Sequence, residues 1–452
     1  MTHGPSQPTG HAVVVGASMA GLLAARVLSD TFARITIIDR DALPEDPVAR
    51  RGVPQAKHAH GLLARGREIL EELFPGLTTE LVDRYGAVAG DIQRDASWFN
   101  DGHLMHREES GMLCLVVSRP LLEWYVRTRV VALPQVTVLP TTEAVGLVAT
   151  GAAVTGVRVR RDTRCAAGSD AAGADAGEET LAADLVVDTT GRSNRAPTWL
   201  RELGYEAPEE ETIDAKTVYV SASFTRKPDD YDGIAAVVGA TVDNPRGGVA
   251  LAVEGDQWHV TLLGMGGPEA PTDPESYVEW AAHAPNPDLY QILSGAKVIE
   301  APHRMRIPPA VWRHYEKLRR FPDGFLVMGD ALCAFNPAYA QGMTTAAVEA
   351  LALRDCLARG RRTLARRFFA EAAKIVAIPW SIAVTADLRF PHVVGKRTGA
   401  VKFLNWYIAR LHRVASRDAK AGKAFLRVAN LIDPPQRLLT PGMAAKVLLR
   451  GR

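Results

Sequence analysis

The chain is poor in several features that would each have fixed a class. Four cysteines, Cys114, Cys165, Cys333 and Cys356, occur in 452 residues and form no C-x-x-C pair. This excludes a disulfide scaffold and implies reduced, structural thiols. The histidine pairs His58/His60 and His103/His106 lack further ligands at a useful spacing, so no metal is expected. No stretch of about 18 residues reads as apolar enough to span a bilayer. Residues 11–28 imitate a signal-peptide core, but no basic segment precedes them and no small-residue cleavage site follows. A cytoplasmic location is expected. The net charge is only +2, and no nucleic-acid partner is expected. No G-x-S-x-G nucleophile motif is present. What is abundant is apolar surface: 47% hydrophobic residues suffice for one large domain or two intimately joined ones.

Local patterns divide the chain. Residues 1–10 read as a disordered lead. A strand at 11–15, a helix from 19 to 30 and a strand at 34–39 form a βαβ unit. A polar loop follows, then a helix over 62–74. Residues 118–131 read as a helix, with Ser118 as N-cap and Pro120 in the first turn. Residues 154–161 and 181–191 read as strands around the small-residue stretch 165–179, a floppy hairpin insertion. Residues 212–305 alternate as a strand-rich region. A short strand ends at Gly329, a helix starts at Gly342, and everything from about 364 is helical.

The first turn of the βαβ unit carries chemistry. Gly16-Ala-Ser18-Met19-Ala20-Gly21 fits G-x-G-x-x-G with Ser in the second glycine slot, between a strand and a helix. Gly16 permits the turn, small residues at 18 and 20 let backbone approach a pyrophosphate, and Gly21 seats the helix on the strand. Asp39, 23 residues after Gly16, ends the next strand, where an acid can bind a ribose 2′-OH. This pattern predicts an adenine dinucleotide without separating NAD from FAD. The later segments DLVVDTTGRSN, with Thr190-Gly191, and GDALCAFNPAYAQGM separate them. In the second, Gly329-Asp330 offers a carboxylate suited to ribitol hydroxyls. Pro337 follows, and the N–H groups of Gly342 and Met343 at a helix N-terminus suit the negative charge of a reduced isoalloxazine. FAD satisfies both ends.

With these segments in place the chain resembles the single-component flavin monooxygenases. It is most similar to the actinobacterial branch of polyether and polyene epoxidases, and distantly to squalene epoxidase. The carrying residues are GASMAGLLAARVL, RRGVPQAKHAHGLL, DLVVDTTGRSNRAPTWL and GDALCAFNPAYAQGM, with FPDGF and PWSIAVTADLRFP. The resemblance implies an α/β fold: a Rossmann-like FAD domain (11–95, 115–210 and 305–360), an inserted mixed-sheet substrate domain (96–114 and 211–304) and a helical C-terminal region (361–452). It further implies that Arg40 lies by the adenosine and that Arg50 and Gln55 lie by the flavin. Arg119 would meet the ribitol or pyrophosphate, and Val145 would offer backbone to the adenine. Two departures stand out. Thr190-Gly191 replaces the usual Asp-Gly associated with the nicotinamide reductant, and Ala340 replaces the first glycine of P-x-x-G-Q-G.

The implied reaction uses NAD(P)H and O2. Oxygen adds at flavin C4a, and its distal atom passes to an electron-rich carbon of a small apolar substrate. Epoxidation of a polyketide or isoprenoid alkene is expected, with hydroxylation of an aromatic or heteroaromatic ring as the alternative. The cofactor carries the hard chemistry, so no catalytic residue is assigned. His58, His60 and Tyr339 are candidate bases, better read as structural. A halogenase is disfavoured because IPWSIA is not W-x-W-x-I-P, although Lys57 lies near the flavin loop. Finally, residues 391–452 hold 13 Lys and Arg against 2 Asp, +11 in a chain of +2. Weak peripheral contact with an anionic membrane or an acidic carrier protein is expected of such a tail.

Overall fold

The computed structural model describes residues 8–161, 177–227 and 229–451. Its first sheet is parallel, ordered Phe325–Val327, Leu185–Asp188, His11–Val15, Arg34–Ile38, Val136–Leu139. These strands are mostly Val, Ile and Leu because the sheet is buried on both faces, with helices on one and the three-stranded sheet Thr142–Thr150, Ala153–Arg161 and Glu178–Ala182 packed against strands Arg34–Ile38 and Leu185–Asp188. Helix Met19–Leu28 packs against helices Arg119–Val131 and Gly342–Ala358. Ser118 caps its helix by accepting the Leu121 amide at 3.3 Å. Helix Met19–Leu28 stops two residues short of the expected Asp30; the Ser29 amide closes its end on the Ala25 carbonyl.

The second sheet has seven strands, ordered Val298–Arg306, Thr217–Thr225, Gln257–Met265, Arg246–Val253, Ala235–Val238, Ala96–Asn100, His103–Leu104. It is mixed: Ala235–Val238 runs parallel to Ala96–Asn100, and the other pairs are antiparallel. Phe224, Trp258 and Leu262 form one core with Tyr277, Leu289 and Ile292. The last three belong to helices Pro274–Ala282 and Asp288–Ser294, which strand-like alternation over 212–305 did not anticipate. The missed signal was local: Asp273 accepts the Ser276 amide at 2.9 Å and starts the first of them. Each such fully buried aromatic contributes roughly 1.5–3 kcal/mol.

The C-terminal region is helical: Leu364–Asp387, Gly399–Ala415, Ala419–Ala429 and Pro441–Arg450. Tyr407, Leu411, Val414, Leu426 and Val447 share a core with Ile92, Ala96, Leu251 and Val253, so these helices pack on the second sheet. Helix Leu364–Asp387 corrects the expectation on bilayer length: by length and composition it could cross a membrane. Its Ala-rich run hid this from a scan for bulky apolar residues. In the structure Phe368, Ala372, Val376 and Trp380 turn into the main core instead. Two further expectations fall partly outside the description. Residues 1–7 of the lead and 165–176 of the small-residue stretch are not described. Within the lead, the Thr9 amide bonds the Thr31 carbonyl and Arg361 bonds the Thr9 hydroxyl, so its end is fixed to the body.

Candidate functional site

The glycine turn is tight in the way the fingerprint requires. Gly16 has φ +108°, and a Cβ on Gly21 would stand 1.8 Å from the Gly16 carbonyl oxygen. Gly329 has φ +68°, and a Cβ there would come within 2.6 Å of the Ala20 Cβ. The first and third motifs, more than 300 residues apart in sequence, therefore touch, the Gly329 backbone lying against the Ala20 methyl. Thr189 joins them from the second strand: its Oγ1 donates to the Val15 carbonyl at 2.8 Å. Next to it Thr190 donates through both N–H and Oγ1 to Asp188 Oδ1. Gly191, at φ +79°, opens the following turn. Arg192 and Asn194 of that turn reach the carbonyls of Phe335 and Ala331, tying it to the Gly-Asp loop.

Beside the turn lies a buried ionic network centred on Glu123, a residue the sequence reading missed. The Ser18 hydroxyl donates to Glu123 at 2.7 Å, Arg119 at 3.0 Å and Arg50 at 2.9 Å. Arg119 also donates to Ser18 Oγ at 2.8 Å. Burial opposes ionisation of Glu123, but Arg119 and Arg50 overcome it and hold its pKa below the ordinary value. Glu123 stands four residues after Arg119, one helical turn, which was the available signal. Serine in the second glycine slot is thus anchored sideways, its hydroxyl directed at Glu123 and Arg119.

Arg50 is displaced from expectation. It lies not with the flavin loop but at the Asp39 end, between Asp39, Asp41 and Glu123. Asp39 itself accepts the Ala17 amide at 2.7 Å and the Asp41 amide at 2.9 Å, so a ribose hydroxyl would share its oxygens. Arg40 is exposed, Val145 is half-buried in strand Thr142–Thr150, and Gln55 is half-buried in the turn Pro54–Lys57.

At the far end the helix Gly342–Ala358 has no side-chain cap and no acid in its first turn. Its leading amides, including those of Gly342 and Met343, are left for a ligand. A Cβ on Gly342 would meet only Asp330 Oδ1, at 3.5 Å, so acid and helix terminus flank one gap. Among the described residues no hydrogen bond to the Asp330 carboxylate is found, and burial raises its pKa. Glu349 accepts the Gly329 amide at 2.7 Å, and burial pushes its pKa to about 8.

The loop between them is held from the C-terminal region. Asp387, 1% exposed, accepts the Tyr339 hydroxyl at 2.7 Å and the Asn336 amide at 3.1 Å. Burial raises Asp387 to about 6. Pro337 sits on the exposed lip of the turn Pro337–Tyr339. Ala340 takes φ +54°, the left-handed conformation that favours glycine, which explains the glycine of the related motif. Gly61 accommodates its methyl: a Cβ at 61 would stand 3.2 Å from the Ala340 Cβ. Segment 58–61 is therefore wedged between this loop and the second sheet. There Ala59 N–H donates to Thr261 Oγ1 at 2.9 Å, and Thr261, Ser221 and His58 Nδ1 follow in 2.7 Å steps. His58 Nε2 faces Met305 Sδ, and burial with neighbouring His303 lowers His58 to about 4. His60 Nδ1 donates to the His58 carbonyl, and burial lowers His60 to about 3.

Residues 10–367 match the family described as FAD binding domain. The chain belongs to this family. It is 34% identical over 418 residues to Protein Rv3254 of Mycobacterium tuberculosis, covering 88% of this chain and 84% of that protein. As an FAD-binding fold it is similar to the flavin-dependent brominase Bmp2 (TM-score 0.67, 13% identity, 98% and 100% of the two chains). It is also similar to p-nitrophenol 4-monooxygenase PnpA from Pseudomonas putida DLL-E4 (TM-score 0.62, 17% identity, 94% and 98%). PqsL from Pseudomonas aeruginosa, a probable FAD-dependent monooxygenase, matches with TM-score 0.61, 16% identity, 84% and 97%. The residues present fit FAD. The Gly16–Gly21 turn with Ser18, Met19 and Ala20 suits the pyrophosphate, Asp330 has acceptor oxygens for ribitol hydroxyls, and the amides of Gly342 and Met343 suit the isoalloxazine.

Proposed function

We propose that the protein is an FAD-dependent monooxygenase that epoxidises an alkene of an apolar polyketide or isoprenoid, consuming NAD(P)H and O2. Bound FAD supplies the redox chemistry, accepting a hydride from the nicotinamide and activating O2 for transfer of one oxygen atom. The chain's residues bind FAD, orient it and exclude water.

One observation carries the choice of epoxidation over ring hydroxylation: the candidate bases beside the flavin loop are already engaged. Tyr339 donates to Asp387. Met305 Sδ carries no proton and sets the direction of the hydroxyl chain: His58 turns its Nε2–H toward the sulfur, its Nδ1 accepts from Ser221, Ser221 accepts from Thr261, and Thr261 also accepts the Ala59 amide. His60 is too weak a base to hold a proton near neutral pH. Phenol hydroxylation profits from a base that deprotonates the ring hydroxyl, whereas oxygen transfer to an alkene needs none. The buried neutral groups His58, Ser221, Thr261 and Tyr219 next to the loop 336–341 suit an uncharged, apolar substrate.

The test is product analysis with 18-O2, purified FAD-loaded protein, NAD(P)H, and polyene and phenol substrates compared. The expected product is an epoxide bearing one labelled oxygen, with nicotinamide oxidation accelerated by the alkene. A labelled phenol as the preferred product overturns epoxidation and leaves the monooxygenase reading. Halogenated product in the presence of bromide, with no oxygen transfer, overturns both.

A further inference from the structure

We infer that the outward face of the C-terminal helices docks on an anionic lipid–water interface. This rests on the tail alone and holds whichever substrate is oxidised. Helix Gly399–Ala415 has two faces. Tyr407, Leu411 and Val414 are buried against the second sheet. On the other side Phe403 is 49% and Trp406 44% exposed, their ring centroids 5.7 Å apart. Lys402 and Arg413 are exposed on this side of the helix. The Arg410 guanidinium lies 4.4 Å from the Trp406 ring centroid and donates to the Gly451 carbonyl at 2.9 Å. That bond brings the end of helix Pro441–Arg450 alongside, where Leu448 is 47% and Leu449 77% exposed. Exposed apolar side chains therefore stand on two helices that this bond ties together.

Its charge is of one sign. Helices Gly399–Ala415, Ala419–Ala429 and Pro441–Arg450 contain no acidic residue. The two acids of residues 391–452, Asp418 and Asp433, are already paired with Lys446 and Arg427. The surplus of 13 cations over 2 anions thus has no internal counterpart in the tail. Aromatic and leucine side chains that project from a convex helical face, flanked by Lys and Arg, match a headgroup–acyl boundary. The rings enter the boundary while cations meet lipid phosphates, and the long stems keep charge in water. An acidic protein partner would satisfy the charges but leave the projecting rings and leucines without a complementary pocket.

The experiment is flotation of the FAD-loaded full chain with phosphatidylcholine vesicles and with vesicles containing phosphatidylserine, at low and high salt. Binding is expected only to the anionic vesicles, falling about ten-fold or more at high salt as exposed charges are screened. Phe403→Ser with Trp406→Ser should reduce it about ten-fold while flavin content stays unchanged. Lys402→Glu with Arg413→Glu is the second variant, should the first fold poorly, and should abolish binding. The inference is overturned by equal recovery with both vesicle types, by binding that neither variant changes, or by no binding at low salt. It is also overturned if an acidic carrier protein is bound and vesicles are not, or if light scattering shows this face closed in a dimer.

Discussion

The nucleotide end of the cofactor cleft and the face of the second sheet follow opposite electrostatic rules. At the nucleotide end Asp39, Arg50, Arg119 and Glu123 are buried charges arranged in pairs. At the face of the second sheet His58, Ser221, Thr261 and Tyr219 are buried and neutral, linked through hydroxyls or packed by their rings. Buried charge is costly unless paired, and it repays that cost where a ligand brings fixed charge of its own, as a pyrophosphate does. The difference teaches that paired buried charge suits a surface that meets a charged ligand, and neutral hydrogen bonding suits one that does not.

The sharpest way to break the comparison is at the glycine turn. Gly21→Val places a Cβ 1.8 Å from the Gly16 carbonyl and should eliminate flavin from the purified protein, read as the ratio of flavin to protein absorbance. Yellow protein with full occupancy would remove the turn from the site. Glu123→Ala comes next: leaving Arg50 and Arg119 partly unpaired in the interior should cost roughly 3 kcal/mol of stability. The loss should be smaller with FAD bound, because a pyrophosphate replaces the missing anion. Thermal unfolding with and without FAD checks this, and equal losses in both would separate Glu123 from the cofactor.

Asp330→Ala should weaken FAD binding about ten- to hundred-fold, corresponding to a charge-assisted hydrogen bond of roughly 1.5–3 kcal/mol. Exposed Asp323 provides the control, since its alanine variant should leave the flavin dissociation constant unchanged. The effect confined to a pH interval concerns Asp387. Its pKa is raised by burial to about 6 from 3.8, so the native state holds the proton longer than the unfolded chain. Stability from this group therefore falls as pH rises through that interval and is level above it. Asp387→Asn should flatten that fall, a difference of about 2–3 kcal/mol across the interval, while keeping one acceptor oxygen, placed as the Oδ1 that Tyr339 and Asn336 share. Urea denaturation at several pH values measures it; an unchanged profile would show that Asp387 ionises elsewhere on the scale.

Much of the cofactor end was legible because it is local. Gly16 to Gly21, Asp39, Asp330 and Gly342 sit in short segments whose spacing follows from strand, turn and helix geometry. Glu123 was within reach by the same logic, one turn beyond Arg119, but a lone acid in a helix carries no motif. The pairing of Arg50 was not legible, because a loop residue's long side chain reaches whatever acid the fold presents, and here three are presented. The face of the second sheet was not legible. His58, Ser221, Thr261 and Met305 come from four separate segments, and strand alternation assigns each only to a face.

By itself the sequence determined the βαβ turn, the order of the three cofactor segments and the one-signed charge of the tail, since each depends on neighbours within a few residues or on a sum. Only the tertiary structure decided that Asp387 locks the flavin loop from a helix some 50 residues further on, an interval of 51 from Asn336 and 48 from Tyr339. It alone decided that Gly61 makes room for Ala340, and that His58 is tied at both ring nitrogens. These are pairings between surfaces distant in the chain. Burial sets their protonation and packing sets their distances, and neither quantity exists until the two sheets and the C-terminal helices have closed on one another.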